Sequence, residues 1–431
     1  MNVLTSAGYR THGIGKCHFV PDSGALRGFQ TRETQEEIPK NPESDDFLTH
    51  IQSEGFDHIV DHHGARGEMY YVPQISQLPA RLHPTQWVGD RACTFISEQR
   101  SPWYLYAGFI HPHPPFSPPA PWHKLYGFQD VPLPHIPPDH ESLLTYVNRA
   151  QNRYKYRDRG FDLNLVRIMR AYYYACISFI DYQVGRMIDA LGESFNDTLI
   201  LFSSDHGEYL GDYMCFGKRG MHDVSARVPL VVSYPSGLPS GITCDRPVSL
   251  VDFAPTFTKA AGADDTSPEW DGVALQDVVS GATDRTHVFS HLAYTTGFFG
   301  TRNQSLDEAT TPEAYERASA STYMAVSETH KYVYSAPDNA EFLFDRVDDP
   351  RETRNCILDA SQEENLETIR TQLFRHLASD GETEGFEKSG ESGQEAYAWK
   401  RMPGKHMPTD PDAGLLVQNQ PWANLSIPGY S

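Results

Sequence analysis

The sequence predicts an α/β fold: a mostly parallel sheet flanked by helices, plus a small C-terminal antiparallel sheet with one helix. Three observations carry this. Between residues 103 and 262, short apolar runs that read as strands alternate with longer runs of helical spacing. Beyond about residue 285 the pattern changes to four short strands joined by turns, and then one amphipathic helix, Glu363 to Ala378. Polar clusters stand at the ends of the apolar runs, where open α/β sheets keep their sites. The expected organisation is an α/β domain over residues 1–284, a small antiparallel α+β subdomain over 285–380 and an extended tail over 381–431.

Composition narrows the function classes. The 431 residues are 39% hydrophobic and 12% aromatic, which is globular usage. A net charge of -21, from 36 basic and 57 acidic side chains, argues against nucleic acid or an anionic membrane as the main partner. A local basic cluster can still hold a small anion. The six cysteines stand far apart, with no Cys-x-x-Cys pair, and read as isolated thiols. No apolar run reaches the ~18 residues of a membrane span. The first ten residues lack the charged start and apolar core of a signal peptide, and the compartment stays open.

Taken in order, Val3 to Ala7 reads as a helix tail with Gly8 past its end. Residues 9–16 form a short strand opening into a Gly-containing turn that ends on Lys16, with Cys17 and His18 directly after. Residues 20–85 are polar and irregular and include a second polar cluster, Asp61-His62-His63-Gly64. Thr85 to Arg100 has helical spacing, with Trp87, Val88, Ala92, Phe95 and Ile96 on one face. Trp103 to Ile110 reads as a buried strand running into His111-Pro-His-Pro-Pro-Phe-Ser-Pro-Pro119. Prolines fix φ, so His111 and His113 sit in a stiff loop. Residues 120–160 read as a surface excursion. Leu165 to Leu191 is the longest helical pattern, with Tyr172, Tyr173 and Tyr174 as packing residues.

Thr198 to Ser204 reads as a buried strand that ends in Asp205-His206-Gly207. A carboxylate and an imidazole side by side suit a divalent cation. Lys218 lies in a Gly-flanked loop, and such loops can deliver an ammonium group to an oxyanion. Ser249 to Gly262 is a short helix. Strands follow at 288–292, 323–327, 331–334 and 341–345. From Asp380 on, Gly, Ser, Glu and Pro predict a loose tail, pinned by Trp399 or Trp422.

Five stretches, in order, resemble the sulfatase family, a branch of the alkaline-phosphatase-like superfamily. They are Gly8-Tyr9-x-Thr11 with Gly15-Lys16-x-His18; Pro112-His113-Pro-Pro-Phe116; Ser204-Asp205-His206-Gly207-Glu208 with Leu210-Gly211-Asp212; Gly217-Lys218 with Ser225-Ala-Arg-Val-Pro-Leu230; and Glu341-Phe-Leu-Phe-Asp345 running to Glu352. The resemblance implies that Asp205 and His206 are ligands of one divalent cation, usually Ca, with Mn, Mg or Zn as alternatives. His at 206 is like the choline-sulfatase, iduronate-sulfatase and phosphonate monoester hydrolase branches; many relatives carry Asn. By the same resemblance Lys16, His18, His113 and Lys218 surround the sulfate as catalytic residues. Lys16, His111, His113 and Lys218 contact the substrate, a sulfated sugar or an aryl or alkyl sulfate.

The implied chemistry is coherent. A dication and two ammonium groups stabilise charge on the departing oxygen. An imidazolium at His113 can protonate the leaving alkoxide, and His18 would orient and deprotonate groups around the nucleophile. Clustered cations should depress the pKa of each His or Lys among them.

The departure concerns the nucleophile. The family makes a formylglycine from Cys or Ser in Cys/Ser-x-Pro/Ala-x-Arg. None of the six cysteines stands in that motif, and Ser225-Ala-Arg-Val lacks its spacing. The family's first strand, with its Asp-Asp metal pair, is also not found. The resemblance therefore implies an N-terminally truncated or mis-started sequence, with formylglycine in the full-length protein. It leaves two rivals: a phosphonate or phosphodiester monohydrolase of the same superfamily, and a non-catalytic anion-binding remnant. The 431-residue chain alone is expected not to hydrolyse an aryl sulfate. Metal-dependent turnover by the purified chain would contradict this and point to another nucleophile.

Overall fold

The sheet is organised around one glycine-ended strand. A computed structural model describes residues 1–37, 39, 42–66, 70–155, 162–263, 270–293, 321–382, 385–388 and 397–401. After α1 (Asn2–Ser6), strand β1 (Arg10–Gly15) is flanked on both sides by parallel partners, β2 (Thr31–Thr34) and β3 (Trp103–Gly108). The register sets Gly15 opposite both Thr34 and Gly108. Residues 16–18, 35–37 and 109–113 therefore leave the sheet at one end. Gly15 has φ +85°, and a Cβ there would lie 2.1 Å from the Gly108 carbonyl oxygen, so only glycine lets the strands approach this closely.

Two helices cover this sheet. Helix α2 (Asp46–Ser53) starts at Asp45, whose carboxylate accepts from Leu48 N. Helix α3 (Pro84–Glu98) starts with proline in its first turn, after His83. Ile14, Phe47, Ile51, Trp87, Val88 and Phe95 form one core between helices and strands. The excursion at 120–160 contains α4 (Tyr146–Lys155), a helix the sequence reading did not anticipate. Helix α5 (Leu163–Leu191) is capped by Asp162 and packs on α3, where a Cβ at Gly89 would meet the Gln183 side chain. Tyr173 packs edge-on against Phe116, in keeping with a packing role for the tyrosine run.

The next two strands depart from expectation. β4 (Ile200–Ser203) pairs antiparallel with β5 (Leu230–Ser233), Ser203 opposite Leu230. The intervening segment holds turns, a short 3-10 helix (Asp212–Met214) and the single turn of α6 (Asp223–Ala226), and it returns to the end of the strand it left. A parallel pairing needs a crossover that carries the chain back to the other end. Phe202 is 38% and Val231 63% exposed, so these apolar runs are not buried on both faces.

After α7 (Phe253–Ala260) and α8 (Leu275–Ser280), the second sheet runs β6 (Val288–Ala293), β7 (Ser321–Val326), β8 (His330–Ser335), β9 (Ala340–Asp345), all antiparallel as the sequence predicts. Every residue of β7 and β8 is buried. Alternation explains it: Tyr323, Ala325, Tyr332, Tyr334 and Leu343 face α9 (Glu363–Ser379), while Met324, Val326, Val333, Phe342 and Phe344 face Tyr209, Tyr213 and Met221 of the first unit. The expected loose tail instead holds a short antiparallel pair, β10 (Phe386–Lys388) and β11 (Tyr397–Trp399). Trp399 stacks on Tyr334 at 4.0 Å and contacts Phe374. Trp422 lies outside the described residues. All six cysteines are free.

On the inner face of β8, the buried Lys331 ammonium meets Asp223, Glu352 Oε1 at 2.5 Å and the Met221 carbonyl at 3.0 Å. Lys331→Ala takes the cation from buried Glu352 and leaves Asp223 with Arg227 Nη1 at 3.7 Å. It should lower stability by about 3–5 kcal/mol in urea unfolding; a loss below about 1 kcal/mol would contradict the ionic reading.

Beside the first sheet, His62, His63, His83 and His111 are buried together, with ring separations of 4.1 Å (62–63), 5.9 Å (63–111) and 4.7 Å (83–111). Burial lowers all four, His62 and His111 to about 4. Unfolded histidines bind a proton near pH 6.5, so below that pH the unfolded chain binds more protons than the folded one. Stability is thus expected to be full above about pH 7 and to fall as the pH drops toward 4. Asp45, which burial raises to about 6, works in the opposite sense. The thermal midpoint should drop by on the order of 10 °C between about pH 7 and pH 4.5, and a flat profile would contradict the assignment.

Candidate active site

Segments that follow β1, β2, β3 and β4 meet the loops that carry Arg66 and Lys218. Lys16 follows β1, its backbone fixed by Lys16 N to Gly108 O at 3.3 Å and by Tyr106 Oη donating to Lys16 O at 3.1 Å. His113 follows β3, and its Nδ1–H donates to the Pro114 carbonyl at 2.8 Å. A carbonyl only accepts, so Nε2 is the atom left to face the cleft. That Nε2 lies 3.3 Å from Glu37 Oε1, and Lys16 Nζ makes a close ion pair with the same oxygen. Arg66 Nη2 is 3.5 Å from Glu37 Oε2, with its guanidinium over the Tyr70 ring. A buried carboxylate thus collects three basic side chains that come from three separate loops.

The electrostatics follow from that crowding. Burial pushes the Glu37 carboxyl up, but His113, Lys16 and Arg66 outweigh it and hold it down to about 2. Burial lowers His113 to about 3, with Lys218 and Lys16 adding to the fall and Glu37 opposing it. Lys218 is lowered by burial and then by Lys16, while Asp205 and Glu37 pull it up. The sequence reading expected depression from neighbouring cations; at His113 and Lys218 burial is the larger cause.

Lys218 is held by its backbone. Gln151 Oε1 of α4 accepts from Lys218 N at 3.1 Å and Arg219 N at 2.9 Å, and Ser225 Oγ donates to Lys218 O. Glu208 Oε1 accepts from Gly217 N at 2.5 Å. The Ser225 carbonyl in turn accepts from Gly207 N at 2.8 Å, tying the lysine loop to the Asp205-His206-Gly207 turn. A Cβ at Gly207 would lie 2.1 Å from Val224 O. Gly207→Ala therefore forces the two segments apart. It should cost about 1–3 kcal/mol in urea unfolding, whereas wild-type stability would show that the contact yields.

The donor set at Asp205 and His206 suits two ligands of a divalent cation. His206 Nδ1–H donates to Gly207 O at 2.8 Å, which leaves the lone pair on Nε2, and that buried Nε2 has no hydrogen-bond partner among the described residues. It lies 3.2 Å from Asp205 Oδ2. Burial lowers His206, then Lys218, which favours the neutral, ligating form. Among the described residues no group of three His, Cys, Asp or Glu side chains converges as a metal site.

Two further residues expected in the site make none of these contacts among the described residues. His18, at φ +53°, turns outward with its side chain 70% exposed, 4.0 Å from Glu36. His111 is buried behind the loop, bonded to Ser117 Oγ at 3.0 Å. Conversely, Glu37, Arg66 and Gln151 were missed. The one sequence signal for Glu37 is its place just past a strand, in Gln35-Glu36-Glu37.

Both the sequence and the fold match known proteins. A family model described as Sulfatase matches residues 1–263, and one described as N-sulphoglucosamine sulphohydrolase, C-terminal, matches residues 211–379. An arylsulfatase of Clostridium perfringens is 26% identical over 412 residues, 89% of this chain and 78% of its own length. A choline-sulfatase of Rhizobium meliloti is 31% identical over 379 residues, 82% of this chain and 65% of its own. Among solved structures, the phosphonate monoester hydrolase of Agrobacterium radiobacter superposes with a TM-score of 0.68 at 23% identity, over 93% of this chain and 83% of that one. A 2-O GAG sulfatase gives 0.60 at 16%, over 88% and 73%. At these identities the structural likeness speaks for the fold alone.

Proposed function

Because the chain belongs to the sulfatase family, we propose that its cleft serves the hydrolysis of sulfate esters, with the sulfate group held between Lys16, His113 and Lys218. One observation carries this reading. Lys16 and His113, from two different strand ends, converge on the same carboxylate oxygen, Glu37 Oε1. The cleft is thus already arranged around an anionic oxygen.

Each residue then has a task. The Lys16 and Lys218 ammonium groups stabilise the sulfate oxygens and the charge that moves onto the leaving oxygen. His113 Nε2 presents a proton to that oxygen, with the ring fixed by Pro114 O. Asp205 and His206 would hold a divalent cation, which supplies Lewis-acid stabilisation of the anionic centre. The substrate class is a small sulfate ester, of a sugar or of an aryl or alkyl alcohol. No helix among the described residues is long and apolar enough to cross a membrane.

Binding tests this independently of turnover. A bound sulfate favours the protonated forms of His113 and Lys218, both lowered in the empty cleft. Binding is then linked to proton uptake, and affinity should rise as pH falls from about 8 to about 6. Calorimetry should also show Lys218→Ala weakening sulfate at least about tenfold, in line with losing one charge-assisted contact. Sulfate affinity independent of Lys218 would overturn the reading. His206, which resembles the phosphonate monoester hydrolase branch as well as some sulfatases, leaves a second reading, phosphonate ester hydrolysis. Paired affinities for sulfate and methylphosphonate separate the two.

A further inference from the structure

Glu37 differs from the carboxylate beside it in how it is held. Glu36 is fixed by the backbone: its Oε1 accepts from Cys17 N and His18 N at 3.3 Å each, and its own N–H donates to Asp45 Oδ2 at 2.7 Å. The Glu37 carboxylate contacts Lys16 Nζ, Arg66 Nη2 and His113 Nε2, and all of its contacts among the described residues are to basic side chains. Among the described residues, ion pairs and charge-assisted hydrogen bonds keep it in the cleft. The Tyr70 ring stands edge-on to His113 at 6.1 Å and under Arg66, walling this side.

We infer that Glu37 is an internal counter-anion of the cleft. Its carboxylate stands where the oxygens of an anionic ligand would stand, and a sulfate group enters by displacing it. The inference rests on the proposed sulfate site and deepens it, because it makes Glu37 a residue that sets which anions the site retains. Two anionic groups cannot share Lys16 and His113 without strong repulsion at close range. The ligand therefore binds only the fraction of molecules in which Glu37 has let go, and its apparent affinity falls by that fraction. An intact ester recovers the loss through contacts of its alcohol part. Inorganic sulfate, the product, has no such part and is expelled as Glu37 returns to Lys16. Arg66 keeps the displaced carboxylate close by, so the return is short.

Calorimetric titration of the full 431-residue chain with sodium sulfate at fixed ionic strength and pH tests this. Glu37→Gln removes the competing charge at nearly unchanged shape and should bind sulfate at least about tenfold tighter, as the population argument requires. Glu37→Asp restores a competing carboxylate and should return to within about threefold of wild type. If wild type binds and Glu37→Gln binds equally or more weakly, Glu37 supports the cations and is no competitor, and the inference fails while the sulfate site stands. A variant that merely loosened the loop would also bind more weakly, so tighter binding is not an outcome a structural role produces. Absence of sulfate binding by all three proteins overturns this inference and the sulfate site together.

Discussion

Crowding of like charge is the constraint on which the rest of this structure depends. Lys16, Arg66, His113 and Lys218 are brought toward one cleft, and two of them lie against the same carboxylate oxygen. Cations repel at such distances, and burial strengthens the repulsion. The fold meets this with stiffness. Parallel strands in strict register deliver two of the segments, prolines stiffen the histidine loop, and backbone hydrogen bonds from Gln151, Glu208 and Ser225 hold the lysine loop. Glu37 supplies the compensating charge.

The C-terminal sheet extends that support. Its inner face packs on Tyr209, Tyr213 and Met221, in the segment that carries Lys218. Its buried Lys331 reaches Asp223 at the start of α6, and Glu352 Oε2 accepts from Asp223 N at 2.7 Å. Two residues further on, Ser225 bonds to both Lys218 O and Gly207 N. A short covalent and hydrogen-bonded path thus joins the second sheet to both halves of the site.

Much of the fold was legible because each strand ends abruptly in chemistry. Lys16, His113 and Asp205-His206 all follow apolar runs, and the parallel pairing of β1 with β3 places the first two together, while Lys218 stands in a Gly-flanked loop. The direction of β5 was not legible, because nothing in 205–229 signals that the chain returns to the end it left. Glu37, Arg66 and Gln151 were missed for another reason. They lie in polar stretches without periodicity, and only tertiary packing selects them. His18 and His111 show the limit of adjacency: a positive φ turns the first outward, and Ser117 draws the second into the core.

The central claim is that the converging cations form a site for a tetrahedral dianion. Selenate, a heavier isostere of sulfate, locates that site directly by anomalous scattering from a crystal soaked near neutral pH. The account predicts one strong peak in contact with Lys16 Nζ, Lys218 Nζ and His113 Nε2, with the Glu37 carboxylate moved off Lys16. A peak elsewhere, or Glu37 still paired to Lys16 in a selenate-saturated crystal, would contradict it.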